Sequence, residues 1–347
     1  ETAGGKMNAG GLLTLEAASL LNRHGTIASR LNNLKLIALG GLDNTSGKLK
    51  AKNESDITSG EIKNDNGEIT SGGAMTIKSL AFYNNNGWVQ SDRALNIDTQ
   101  GYVFSNIHSG EKRGLISLGA LTLKAGEFNN THGYVFSKGF IDATTQYFNN
   151  QHGIFSSLNT FALSSLGLDN TDGQINAQAL AINTQGKTLD NTRGKLLATH
   201  AFDLKSGELI NENGKIISDG NLDILSLALN NRWGWIQGKS LSMDTQGQKL
   251  SNPDTYKKEQ KEMTSGIISH GLLTLKTGEF DNQRGRLYAT GAFDATTAYF
   301  DNRYGVINAD ANAIFNSLGF NNQYGIVSTL SNTTFKLQQT ILDNNDG

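Results

Sequence analysis

Apolar and polar positions along this chain alternate in short runs rather than following a helical period. Residues 168–177 read Leu-Asp-Asn-Thr-Asp-Gly-Gln-Ile-Asn-Ala: an apolar residue, a polar turn ending in glycine, then a brief alternating run closed by a small residue. The same unit recurs from Gly5 to Gly347, with neighbouring corner glycines mostly 19 to 22 residues apart. Every corner glycine followed by enough chain has an apolar residue two places on, and a small one (Ala, Ser, Gly or Thr) at four, except at Leu118 and His270. Period two over three to five residues predicts short strands, two or three per unit. A fixed period near 20 residues predicts a stacked solenoid, because one unit cannot bury its own apolar face. Parallel, in-register stacking then gives a parallel β-helix of about 16 coils, a rod of roughly 75 Å at one strand spacing per coil.

Two columns follow from that register. Asparagine occupies the same corner from Asn22 to Asn344, where it can bond up and down the stack and tolerate a sharp turn. Two residues earlier runs an apolar column: Phe104, Phe128 and Phe148, five leucines from Leu168 to Leu250, then Phe280, Phe300 and Phe320. A row of amides or an exposed aromatic platform could instead bind sugars, but ladders and core packing are the ordinary work of these residues. The 40 glycines and single proline suit a chain that turns every few residues and needs left-handed backbone at its corners. A leucine-rich repeat is excluded by spacing, since Asn22 lies seven residues after Leu15 rather than two.

A longer period is superposed. Gly-Trp-Val-Gln at 87–90 returns as Gly-Trp-Ile-Gln at 234–237, and Leu-Thr-Leu-Lys-Ala-Gly-Glu-Phe at 121–128 returns with one change at 273–280. The chain thus reads as one solenoid over 1–347, a segment of a longer array, with a seven-coil duplication over about 82–228 and 229–347. Both copies interrupt the Asn-x-x-Gly corner at the same coil, by insertions at 107–113 and 253–265. These are the strongest local departures in composition, and loops inserted in repeat proteins often mark the binding face. Candidate receptor contacts are His108, Glu111, Lys112 and Arg113 in the first. In the second they are Asp254, Tyr256, Lys257, Lys258, Glu259, Lys261 and Glu262.

Charge and chemistry narrow the classes. A net charge of −2 from 30 basic and 32 acidic residues leaves no basic stripe for nucleic acid or anionic lipid. No 18-residue apolar run predicts a transmembrane helix, and residues 1–20 lack a signal peptide's basic start. Cysteine is absent, which removes disulfides and thiol chemistry. His132 and His152 share a corner on adjacent coils, but two histidines without a carboxylate or thiol partner make a weak metal site. Glu127 with Asp142, or Glu279 with Asp294, could supply a glycosidase pair, yet each sits in a repeated element. No cofactor and no catalysis are expected.

The pattern Leu-Asp-Asn-Thr-x-Gly-x-Ile/Leu-x-Ala at 42–51, 168–177 and 189–198, with Asp-Thr-Gln-Gly at 98–101 and 244–247, resembles the repeats of bacterial filamentous haemagglutinins. The likeness covers essentially the whole chain, and the same repeats build the stalks of contact-dependent growth inhibition exoproteins. It implies a right-handed β-helix at the surface of Gram-negative bacteria, exported by two-partner secretion through an outer-membrane secretion partner. It also implies a stalk role in adhesion or virulence; the alternative reading is that this segment is itself the receptor-binding region, recognising an outer-membrane protein or surface glycan of a neighbouring cell. The matched motif is structural, so it carries over no functional residue.

Overall fold

The protein is described by a computed structural model covering residues 4–110, 113–256, 264–338 and 340–345. It is an all-β parallel solenoid of about sixteen turns, about 20 residues apart. Contacts group the chain into two compact units, residues 1–169 with 173–177 and residues 170–172 with 178–347. In the first, nine four-residue strands stack from Lys6–Ala9 to Gln174–Ala177; in the second, seven stack from Lys195–Ala198 to Ile326–Thr329. Each coil adds a second strand and a two- to three-residue third strand, and in places these merge into nine residues, as in Leu121–Asn129 and Leu273–Asp281. Every described pairing is parallel and joins one coil to the next, as in Ile69↔Val89 and Leu196↔Ile216.

The alternation decides which side chains enter. In Gln174–Ala177 the burial alternates, with Ile175 and Ala177 inside. The apolar column before the asparagine is fully buried and begins earlier than Phe104, at Leu42, Ile62 and Phe82. Its rings pack coil on coil: Phe82 stacks on Phe104 at 4.7 Å, while Phe104 meets Phe128 edge-to-face at 5.2 Å and Phe280 meets Phe300 edge-to-face at 4.7 Å. These phenylalanines are therefore core, not a platform for ligands.

The asparagines from Asn22 to Asn322 are buried too, and along each unit one amide donates to the next. Asn22 Nδ2 donates to Asn44 Oδ1 at 2.7 Å, Asn44 to Asn64 at 2.6 Å, and so on to Asn150 in the first unit. In the second unit the same chain runs from Asn170 through Asn191, Asn211, Asn231, Asn252, Asn282, Asn302 and Asn322 to Asn344, at 2.7–2.8 Å throughout. The remaining amide hydrogen turns to a backbone carbonyl, as Asn191 Nδ2 does to Gly194 at 3.3 Å. Each buried amide is thus satisfied within the stack.

The corner's division of labour differs from the expected one. The left-handed residue is neither the asparagine nor the glycine but the residue between them and next to the glycine, such as Asp172 (φ 55°), Arg193 (φ 56°) or Asn213 (φ 53°). The glycine is required for space instead. A Cβ on Gly194 would lie 2.2 Å from the Asn170 carbonyl oxygen and 2.5 Å from Asn191 Oδ1, closer than any side chain allows.

Two substitutions test this corner. Asn191→Ala strands the buried Asn170 amide and removes the donor to Asn211, so it should cost about 3 kcal/mol in urea unfolding. Asn213→Gly relieves a left-handed residue at the surface and should leave the midpoint unchanged within about 0.5 kcal/mol. A neutral Asn191→Ala would remove the ladder from the account of stability.

Candidate binding site at the two corner insertions

The pairing register moves the insertions. Trp88 pairs with Gly114 and Val89 with Leu115; Trp235 pairs with Gly266 and Ile236 with Ile267. Gly114 and Gly266 are therefore the first residues of their strands and not corner glycines. The inward apolar residues are Leu115 and Ile267, and the small residues facing the next corner are Ser117 and Ser269, all buried. Leu118 and His270, which looked like breaks in the small-residue rule, lie one place beyond it.

The true corners are Asn106-Ile107-His108-Ser109 and Asn252-Pro253-Asp254-Thr255. His108 (φ 56°) and Asp254 (φ 60°) take the left-handed position found in the other coils. Ser109 and Thr255 replace the glycine. The extra chain is thus 110–113 in the first copy and 256–265 in the second, narrower than 107–113 and 253–265. The two hydroxyls have a common task. In an ordinary coil the first amide of the next strand donates to the corner glycine's carbonyl, as Ile154 N–H does to Gly133 at 2.9 Å. Where the chain leaves the stack, Ser109 Oγ accepts from Tyr134 N–H at 2.8 Å and Thr255 Oγ1 from Arg286 N–H at 2.9 Å. A serine or threonine three places after the ladder asparagine was the signal in the sequence.

The receptor-contact candidates separate accordingly. Glu111, Lys112, Lys257, Lys258, Glu259, Lys261 and Glu262 lie outside the described residues. His108 does not stand on a protruding loop: its ring stacks on His132 at 5.3 Å, and His132 on His152 at 4.6 Å, with the rings nearly parallel. Lone pairs lie in the ring planes, so stacked imidazoles do not converge on one ion. Among the described residues no group of three His, Asp or Glu is placed to hold a metal. Arg113 is exposed, and its Nη1 donates to the Asn86 carbonyl at 3.0 Å. Asp254 is clamped between Arg284 at 2.6 Å and Arg232 at 3.2 Å, so it serves the corner rather than a free loop.

Tyr256 is the described candidate that belongs to the second insertion proper. Its ring lies 5.4 Å from the guanidinium of Arg286, the first residue of the next strand. Arg286 is only 7% exposed, and its Nη1 has no hydrogen-bond partner. Burial pushes its pKa below the ordinary guanidinium value. The paired carboxylates of the glycosidase alternative do not meet. Asp142 pairs with Thr122 and Glu127 with Tyr147, five residues further along the same strand. Their separation is on the order of 15 Å, beyond the 5–9.5 Å that either stereochemical course uses. Glu279 and Asp294 repeat that spacing, and Glu279 is ion-paired with Lys249 at 2.8 Å.

Replacing Thr255 by valine should leave the buried Arg286 amide without an acceptor and lower the thermal midpoint, at about 1–3 kcal/mol. Serine there should restore most of the loss. Asp254→Asn should cost no more than about 1 kcal/mol, shrinking as salt is raised, because both of its arginine partners are largely exposed. Valine behaving like threonine would refute the hydroxyl's role.

A family model described as the haemagglutinin repeat matches residues 1–46, 32–101, 116–188, 179–232 and 264–346. The internal unmatched stretches, 102–115 and 233–263, cover the first insertion and all but residues 264–265 of the second. No curated protein sequence and no solved structure matches the chain.

Proposed function

The chain belongs to the haemagglutinin-repeat family, and from that premise we propose that it is a non-catalytic stalk segment of a secreted filamentous adhesin. Its task is to carry a functional tip away from a Gram-negative cell and support cell–cell contact. The observation that carries this is one corner, repeated coil after coil with the same buried asparagine. Secretion through an outer-membrane partner, and a parent chain of the contact-dependent growth inhibition kind, are parts of the same proposal. The family is one of secreted or surface-exposed proteins, which supports the location. Lack of cysteine is compatible with crossing a periplasm unfolded.

A second reading gives the segment its own receptor contact at the insertions. It is favoured by the coincidence of the family model's two unmatched stretches with the two places where the chain leaves the stack. The receptor would be an outer-membrane protein or a surface glycan of a neighbouring cell.

Binding of the labelled protein to intact Gram-negative cells separates the readings. A variant in which 257–263 are replaced by a Gly-Ser linker keeps the Thr255 corner and serves as the comparison. A passive stalk predicts no saturable binding by either protein. Saturable binding lost in the variant would assign recognition to the second insertion and overturn the purely passive role.

A further inference from the structure

Beside the asparagine ladder runs a second column, made of the left-handed corner residues. At two consecutive coils of the second unit both are tyrosine: Tyr304 and Tyr324, each two places after a ladder asparagine. The backbone sets their placement. Asn302 Nδ2 donates to Asn322 Oδ1 at 2.7 Å, Tyr304 N–H donates to the Gln323 carbonyl at 3.1 Å, and the two tyrosines share one conformation (φ 58° and 55°). Identical corners in register carry identical side chains out one strand spacing apart. The rings accordingly stack at 4.9 Å, only 8° from parallel.

Two further properties separate this pair from the stack's other aromatic contacts. Tyr304 is 52% exposed and Tyr324 51%, so a reagent in water reaches both rings, whereas Phe82 and Phe104 are closed inside the core. Both rings are also phenols, which the stacked imidazoles of His132 and His152 are not. The chain has no cysteine, so no thiol competes for an oxidant and no disulfide can tie coil to coil.

We propose that Tyr304 and Tyr324 are an oxidative cross-linking site, at which hydrogen peroxide and a peroxidase join the two rings as dityrosine and staple one coil to the next. Peroxide takes one electron and one proton from each phenol and is reduced to two waters, leaving two phenoxyl radicals. Each radical carries spin on the Cε carbon beside its oxygen, and coupling of the two forms one Cε–Cε bond. The hydrogen on each joined Cε then leaves as a proton while the oxygen regains one, which restores both phenols. The net change is the loss of two hydrogen atoms. Rings held in a stack meet at an effective concentration that separate molecules do not reach, and at a half-exposed corner they have room to tilt edge to edge. The bond closes a loop of 20 residues and restricts the unfolded chain as a disulfide would. The site stands independently of the stalk and receptor readings.

Treatment of the whole chain with peroxidase and peroxide, followed by digestion after lysine and arginine and before aspartate, tests the proposal. Cleavage after Arg303, before Asp310 and after Lys336 places the two tyrosines on separate peptides, 304–309 and 310–336. In the monomer fraction these peptides should remain joined, lighter than their sum by two hydrogen atoms. Tyr304→Phe and Tyr324→Phe keep the ring and should each abolish the joined pair, while Tyr102→Phe, exposed in the first unit, should leave it unchanged. Treatment of the urea-unfolded chain should lower the yield about ten-fold or more, because the stack is gone. The joined protein should unfold at a higher urea midpoint than the untreated one. No joined pair after the peroxide is consumed, joining only between different molecules, or equal yield in urea would overturn the site. An unchanged urea midpoint would overturn the staple.

Discussion

The structure depends on an amide stacked on an amide. In each unit a buried asparagine donates from Nδ2 to the Oδ1 of the asparagine one coil on, and this fixes the register of every strand that follows. Such a ladder tolerates little. It needs the same residue in each coil, a left-handed residue after it, and, wherever the chain stays in the stack, a glycine, because a Cβ would collide with the preceding carbonyl. The sequence's narrow vocabulary at the corners follows from those three demands. So does its freedom elsewhere: the left-handed residue is His, Ser, Asn, Asp, Arg, Trp or Tyr in different coils, since its side chain takes no part in the ladder.

Departures from the ladder's geometry carry the information that the repeat cannot. At Ser109 and Thr255 the chain leaves the stack, and a hydroxyl stands in for the glycine carbonyl that would have received the next amide. The corner survives while the loop is inserted. One consequence is the pair of glycine-centred rows, with tryptophan on one side and tyrosine or arginine on the other. A repeat protein can thus accept an insertion without interrupting its core, because the outward positions of the first strands do not take part in the ladder.

Much of this was legible in the sequence. The period, the asparagine column and the phenylalanine column are all set by residues at fixed offsets, and the parallel β-solenoid follows from them. The register at the insertions was not. Gly114 and Gly266 carry the same residue type as the corners, and the sequence gives no distance to show that they belong one place further on. That single step hid His108 in the histidine stack, Asp254 in its arginine clamp, and Ser117 and Ser269 in the small-residue column. The glycine's role was misjudged for a related reason: a turn glycine suggests positive φ, whereas here crowding by the preceding coil excludes a side chain. That Trp235 and Arg286, 51 residues apart, flank Gly266 on either side appears only once the coils are stacked.

Peptide-resolved hydrogen exchange on the intact protein tests the central claim most directly. Turn amides ordinarily exchange fast, but here those of Asn191, Arg193 and Gly194 are hydrogen-bonded at 2.7, 2.9 and 2.9 Å, the first two to the following coil. If the ladder holds the register, these corner amides should be protected as strongly as the core strand Lys195–Ala198 beside them. Corners that exchange as fast as surface loops, while the strands stay protected, would contradict it and leave the stack held by its apolar columns alone.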